Sequence, residues 1–297
     1  VKQILYVVQA MRPNQWTKNL VVFAGLVFSR NLLNWDLAAK SIEAFAVFCL
    51  LSGAIYLVND IVDLERDRLH ERKRHRPLAS GRLNKRVAAV SAVVVTLLAL
   101  ALAWFVGREL FVVTVVFLGL NTLYTFALKG VVLLDVLSIS VSFILRAIGG
   151  VEAIRSLDPT IEISPWLLIC TLFLALFLGF CKRRQELITM EDAHSHRDAL
   201  REYSTPLLDQ LVGITAGGSV IAYAIYTIWP DTVEKFGTAN LVYTVPLVLL
   251  GVMRYLYLVY SKQMGGSPSD LLLQEKFMLI TVVVWILLVV AILGGVQ

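Results

Sequence analysis

The sequence predicts an all-α integral membrane protein with nine transmembrane helices, organised as one polytopic domain over residues 1–297. Three observations carry that expectation. Apolar residues make up 58% of the chain, against roughly 45–50% in an ordinary soluble domain. Only 16% of residues are charged. Apolar runs close to the roughly 20 residues needed to cross a hydrocarbon layer recur from end to end. Disorder is excluded by that much apolar surface, and lipid, which offers no partners to unpaired backbone, favours helices throughout.

The nine helices are expected near 17–33, 37–62, 86–106, 109–128, 132–151, 165–181, 207–229, 239–260 and 277–295. The first is the weakest, being short and interrupted by Ser29 and Arg30. Ser164 before Pro165, and Thr205 before Pro206, each read as a side-chain acceptor followed by proline at the first helical position. Pro246 falls inside the eighth helix and is expected to kink it. Loops are expected near 63–86, 182–206 and 261–276. Cys49, Cys170 and Cys181 lie in or beside apolar segments without metal-ligand spacing and read as small packing residues. No cleavable signal peptide is visible, and the apolar spans themselves carry the targeting information.

Orientation follows from where Lys and Arg fall. The segment 65–86 holds nine of them and the segment 182–206 five; with Lys2, Arg12, Lys18, Lys129, Lys262 and Lys276, 20 of the 27 share one side. The opposite loops, 152–164 and 230–237, are short and balanced or acidic. The N-terminus and the basic loops are therefore expected in the cytoplasm, and nine spans put Gln297 outside. The same bias accounts for the net charge of +5, so charge alone gives no reason to expect a nucleic-acid partner.

The cytoplasmic end of the second span reads Asn59-Asp60-Ile61-Val62-Asp63-Leu64-Glu65-Arg66-Asp67. Asp60, Asp63 and Asp67 are spaced i, i+3, i+7, which places three carboxylates on one helical face. They repel one another, and the helix dipole disfavours anions at a C-terminus. Mg²⁺ shared between carboxylate oxygens and a substrate phosphate relieves that cost. Asp60, Asp63 and Asp67 are thus the candidate catalytic residues, and together with Asn59, which borders them, the candidate metal ligands.

Cations accompany this stripe at other helix ends: Arg12 and Lys18 near Gln15 and Trp16; Lys73, Arg74, His75 and Arg76 before a Pro77–Gly81 turn; Tyr124 and Lys129; and Lys182, Arg183, Arg184 and Glu186. That balance suits Mg²⁺ with a diphosphate whose remaining oxygens bind Arg and Lys. Any single one of these cations reads equally well as topology signal or a snorkelling side chain; the combination is what is specific. Asp135, Ser138, Ser142 and Arg146 form a polar face on the fifth helix, with Arg146 about 16 Å deeper than Asp135. Arg146 should face an interior partner, either substrate or a locking salt bridge; Asn121 and Arg254 pose the same question. The pair His194/His196 has no convincing metal constellation.

The Asn-Asp-x-x-Asp-x-x-x-Asp motif at the end of the second span resembles that of the UbiA superfamily of intramembrane prenyltransferases. Arg76-Pro77-Leu78-Ala79-Ser80-Gly81 and Tyr124-x-x-x-x-Lys129 strengthen the likeness. The resemblance implies a helical barrel around a central cavity, a cytoplasmic Mg²⁺–diphosphate site and a lateral opening for an isoprenoid tail. One departure stands out. Most members carry a second Asp-x-x-x-Asp motif at the end of helix six, where this chain reads Cys181-Lys182-Arg183-Arg184-Gln185-Glu186-Leu187. With basic residues there, the site is expected to hold more phosphate instead of a second carboxylate-bound metal. That pattern, with Arg12-Pro13-x-Gln15-Trp16-x-Lys18-Asn19 and Asp135…Leu145-Arg146-Ala147, resembles the decaprenyl-phosphate phosphoribosyltransferase branch.

The branch implies phosphoribosyl diphosphate as donor, a polyprenyl phosphate as acceptor, pyrophosphate as product and a place in cell-wall biosynthesis. Arg12, Lys18, Asn59, Lys73, Arg76, Tyr124, Lys129, Arg146, Lys182, Arg183 and Glu186 are then the expected substrate-binding residues. The expected setting is the cytoplasmic membrane, with room for a homo-oligomer. The nearest rival is a prenyltransferase alkylating an aromatic acceptor from a prenyl diphosphate. A transporter or lipid-binding scaffold is a more distant reading, disfavoured by the lack of an inverted repeat with matched broken helices.

Overall fold

The computed structural model describes residues 2–29, 34–71, 73–189, 198–266, 271 and 274–294. Arg30, the His194/His196 pair and Gln297 lie outside the described residues. The described chain is helical, with no strand among its elements. Helices α1 (Lys2–Ala10), α2 (Ala24–Val27), α3 (Trp35–Val62), α4 (Leu64–Leu69), α5 (Lys85–Val106), α6 (Arg108–Phe126) and α7 (Leu134–Arg155) are followed by α8 (Pro165–Thr189), α9 (Thr205–Ile228), α10 (Pro230–Phe236), α11 (Val245–Ser261) and α12 (Lys276–Gly294). Eight helical segments are long and apolar enough to cross a membrane among the described residues: α3, α5, α6, α7, α8, α9, Asn240–Ser261 and α12. Side chains such as Leu97, Phe105, Ile221 and Leu287 lie exposed on them, as lipid-facing residues of a multi-pass membrane protein must.

Where nine membrane-length helices are expected, the first, near 17–33, is not one among the described residues. Residues Pro13–Phe23 form a 3₁₀-helix, continued only by the single turn of α2. The segment runs antiparallel beside α3, because Arg12 meets Asp60 while Asn19 meets Cys49 and Ser52. A 3₁₀ run of this length is uncommon, and tertiary contacts hold it. Val22 is fully buried, and a Cβ on Gly150 would lie 1.9 Å from the Val22 carbonyl oxygen, so only glycine lets α7 come this close.

Two compact units divide the chain, Val1–Leu128 with Ser142–Ile163 and Lys129–Val141 with Ser164–Gln297. In the first, α3 and α5 pack closely because Ala88, Ala92, Ala99 and Ala103 present a small-residue stripe, buried with Phe48, Leu51 and Leu57. In the second, Phe177, Phe180 and Cys181 of α8 pack with Leu208, Val212 and Ala216 of α9 and with Tyr255 and Val259 of α11.

Helix ends correct two further expectations. The cap of α9 is Ser204, whose hydroxyl accepts from the Leu207 N–H at 3.3 Å; Thr205 is already helical. Pro246 does not kink the middle of a helix. A 3₁₀ turn, Asn240–Thr244, precedes α11, so the proline falls in the first α-helical turn, where a missing N–H costs nothing.

Candidate active site

Helix α3 ends at Val62 because Asp63 turns out of it, with φ −92° and ψ 10°, while its N–H still donates to the Asn59 carbonyl at 2.9 Å. The short α4 then carries Asp67. The expected single face through three aspartates is therefore broken at Asp63. The break relieves the like-charge stacking that a continuous helix would impose, and it leaves Asp60 and Asp67 buried on separate helices.

Arg76 joins those two carboxylates. One of its Nη1 hydrogens is directed to Asp67 Oδ2 at 2.5 Å, and the same nitrogen lies 3.3 Å from Asp60 Oδ1. Arg12 donates to that same Asp60 oxygen, and Lys73 Nζ stands 4.0 Å from Asp67 Oδ1. Local structure places each cation. Leu78 and Leu83 are buried beside Val7 and Leu57, which anchors the turn carrying Arg76. Ser80 closes that turn by donating to the Arg76 carbonyl at 2.7 Å. Arg12 sits just before the 3₁₀-helix with φ 55°, a left-handed backbone unfavourable to a non-glycine residue, and its guanidinium lies 4.6 Å from the Tyr56 ring centre.

Two buried carboxylates thus face three cations, with Arg12 and Arg76 retaining 25% and 29% side-chain exposure. Asp60 is only 3% exposed, yet its Oδ2 has no hydrogen-bond partner among the described residues. A bare buried carboxylate oxygen is costly, and a hard cation is a natural ligand for it. No group of three or more His, Cys, Asp or Glu side chains stands ready for a metal ion among the described residues. Two carboxylates suffice where substrate phosphate oxygens complete the shell, as is usual for Mg²⁺, so the donor set fits. Asn59 is partly engaged elsewhere: its Oδ1 accepts from Thr125 Oγ1 at 2.6 Å. Thr125, four residues beyond Asn121 on α6, escaped the sequence reading because threonine in an apolar run carries no charge signal.

Arg146 is buried and has neither an acidic partner among the described residues nor a salt bridge. Its Nε donates to Asn19 Oδ1 at 2.7 Å, and its Nη1 donates to the Ser142 carbonyl and hydroxyl at 2.9 and 3.0 Å. Phe117 lies under the guanidinium at 4.7 Å. Asn121 joins the group through Ser142 at 3.2 Å. Neutral acceptors replace the expected counterion. Arg254, by contrast, pairs with Glu275 at 2.8 Å, which answers its question structurally. That bond from Arg254 is the main reason the Glu275 carboxyl titrates below its usual range.

In the second unit, Asp135 is fully buried and receives Arg183 Nε at 2.5 Å and the Tyr203 hydroxyl at 2.8 Å. Arg183, 2% exposed, also donates to Glu186 at 2.6 Å, and Lys182 lies 3.8 Å from Glu186. The Tyr203 oxygen accepts in turn from the Leu133 N–H at 2.8 Å, where Leu133 has φ 66°. Burial, reinforced by Asp135, raises the Tyr203 phenol well above its ordinary value. Tyr203 was invisible in sequence, being an isolated aromatic in a charged loop. Lys18, Tyr124 and Lys129 are half-buried, Lys18 on the 3₁₀-helix and the other two after the middle of α6 and beyond its end.

The fold and this cluster define a multi-pass helical membrane protein with a carboxylate–guanidinium site suited to a phosphorylated substrate. The pattern of the UbiA prenyltransferase family matches residues 19–280, and the chain belongs to that family of enzymes. It is 31% identical over 291 residues to the decaprenyl-phosphate phosphoribosyltransferase of Mycolicibacterium smegmatis, covering 94% of this chain and 89% of the relative. It is 32% identical to the enzyme of that name from Mycobacterium tuberculosis, covering 94% and 91%. The fold matches a UbiA homologue from Archaeoglobus fulgidus bound to GPP and Mg²⁺, with a TM-score of 0.72 at 17% identity over 97% of this chain and 99% of the other.

Proposed function

We propose that the protein transfers the 5-phosphoribosyl group of phosphoribosyl diphosphate to a polyprenyl phosphate of the decaprenyl type, releasing pyrophosphate in a Mg²⁺-dependent reaction. The observation that carries this reading is the Asp60–Asp67–Arg76–Arg12 cluster with Asp60 Oδ2 open, in a chain about a third identical to relatives named for that transfer. Asp60 and Asp67, with Asp63 and Asn59 beside them, would hold Mg²⁺, which when bound stabilises negative charge on a leaving diphosphate.

The chain's own residues perform the rest. Arg12 and Arg76 bind diphosphate oxygens in the forked geometry that guanidinium offers, and Lys73 adds a mobile charge. As the ribose C1–O bond to diphosphate breaks, an acceptor phosphate oxygen forms the new bond to C1. That oxygen is already anionic at neutral pH, so no strong general base is required. Positioning is, because two polyanions must meet. Lys18 is assigned to screening them, and Tyr124 to a hydrogen bond with the donor. Arg183 and Glu186 serve chiefly by holding the end of α8 to Asp135. Arg146 sets the polar interior around Asn19 and Ser142. The basic loops support a cytoplasmic N-terminus and site in a cytoplasmic membrane.

Purified protein incubated with Mg²⁺, labelled phosphoribosyl diphosphate and a polyprenyl phosphate should yield a labelled lipid and pyrophosphate. Turnover only with a prenyl diphosphate and a phenol would refute the reading and favour aromatic prenylation.

A further inference from the structure

We propose that Arg12 and Arg76 act as exchangeable counterions that keep a divalent cation off Asp60 and Asp67 until a diphosphate arrives, so that cation and diphosphate enter as one complex. The inference rests on the metal–diphosphate reading of the site. In the structure, Asp60 Oδ1 accepts from both arginines and Asp67 Oδ2 from Arg76. Lys73 stands at the remaining Asp67 oxygen. Asp60 Oδ2, buried, has no hydrogen-bond partner among the described residues.

A dication entering alone meets the positive charges of Arg12, Arg76 and Lys73 around Asp60 and Asp67, which are buried where water screens poorly. One open oxygen does not satisfy its coordination. The negative charge of a diphosphate reverses the balance. Its oxygens offer the guanidinium groups a bidentate partner at least as good as a carboxylate, and the carboxylate oxygens they leave become available to the cation. Both arginines are about a quarter exposed, so each reaches the site's open side without unpacking. Tyr56, under the Arg12 guanidinium at 4.6 Å, gives it a face to rest on during the exchange. Coupling of this kind is reciprocal: the cation must strengthen diphosphate binding by the factor with which diphosphate strengthens cation binding.

The test measures protein-bound Mn²⁺ by electron paramagnetic resonance, using the full chain in detergent, with and without inorganic pyrophosphate and after allowance for Mn²⁺–pyrophosphate in solution. The wild type should bind Mn²⁺ weakly alone and at least about tenfold more tightly with pyrophosphate, the range of a charge-assisted hydrogen bond gained or lost. Arg76→Gln should bind Mn²⁺ alone about tenfold more tightly than wild type while losing most of the pyrophosphate enhancement. Arg12→Gln should move in the same direction by less, since it frees Asp60 only. A thermal melt establishes that each variant is folded. Tight Mn²⁺ binding by the wild type without pyrophosphate overturns the proposal, as does a folded Arg76→Gln whose affinity for Mn²⁺ alone is unchanged or lower. Absence of bound Mn²⁺ even with pyrophosphate overturns the metal–diphosphate reading and the proposal with it.

Discussion

Asp60 and Asp135 are both buried aspartates whose carboxylates receive guanidinium groups, and they differ in how fully they are paired and in how far their arginines are sealed from solvent. Around Asp135 every oxygen is taken, by Arg183 on one side and Tyr203 on the other, and Arg183 itself is sealed from solvent. Around Asp60 one oxygen is bare and the arginines reach solvent. A closed carboxylate–guanidinium pair fixes helix ends and has nothing left to offer a ligand. An open one stores unsatisfied binding capacity. Both aspartates are buried and both receive arginine, so the pairing of the last carboxylate oxygen is what separates a brace from a candidate ligand site.

The largest effect that would break this contrast concerns activity. Asp60→Asn should lower turnover about 10²–10³-fold, the scale of losing one preorganised electrostatic group, with little change in melting because Arg12 and Arg76 remain partly hydrated. Steady-state rates beside thermal unfolding would show the split; full turnover would remove Asp60 from the chemistry.

Asp135→Ala should invert the pattern. It leaves Arg183 buried without its closest partner, at a cost of about 3–5 kcal/mol, visible as a lowered melting temperature or poor yield. Pairing it with Arg183→Met should restore much of the loss.

Tyr203→Phe sharpens the brace further. It removes one donor to Asp135 and the acceptor for the Leu133 N–H, for about 1–3 kcal/mol. The raised phenol makes a pH signature. A group held protonated by the fold contributes stability that is present below its unfolded value, near 10, and is lost as pH rises beyond it. The wild type should therefore destabilise in alkali more steeply than the variant.

The smallest effect is at Glu275, whose carboxyl is held low chiefly by Arg254. Its contribution is present above the ordinary carboxylate value and fades as pH falls through the depressed one. Glu275→Gln should flatten the acid limb of a melting curve slightly without affecting turnover.

Much of this was legible in the chain. Seven of the eight membrane-length segments were bounded to within four residues by apolar run length; α8 extends eight residues beyond its expected end, carrying Lys182, Arg183 and Glu186 on helix. The run Asn59–Asp67 marked the candidate site, because acidic residues at a helix C-terminus need an explanation in charge. Other features were hidden. The 3₁₀-helix at Pro13–Phe23 looks apolar enough for a span, and only its packing on α3 and Gly150 holds the tighter winding. The break at Asp63 does not show in an i, i+3, i+7 spacing that suits an unbroken helix. Arg146 called for a partner by its depth, and spacing gave Ser142 one turn away, but the distant acceptors Asn19 and Ser52 could not be read from it.

The sequence by itself determined the membrane class, most of the span boundaries and the identity of the acidic cluster. These depend on hydropathy and charge summed along the chain, quantities local to each segment. Only the tertiary structure decided which carboxylate oxygens are consumed and which stays open. That depends on where Arg12, Arg76, Arg183 and Tyr203 arrive from 48, 16, 48 and 68 residues away. A hydrogen bond is decided within tenths of an ångström, a scale fixed by packing and invisible to periodicity.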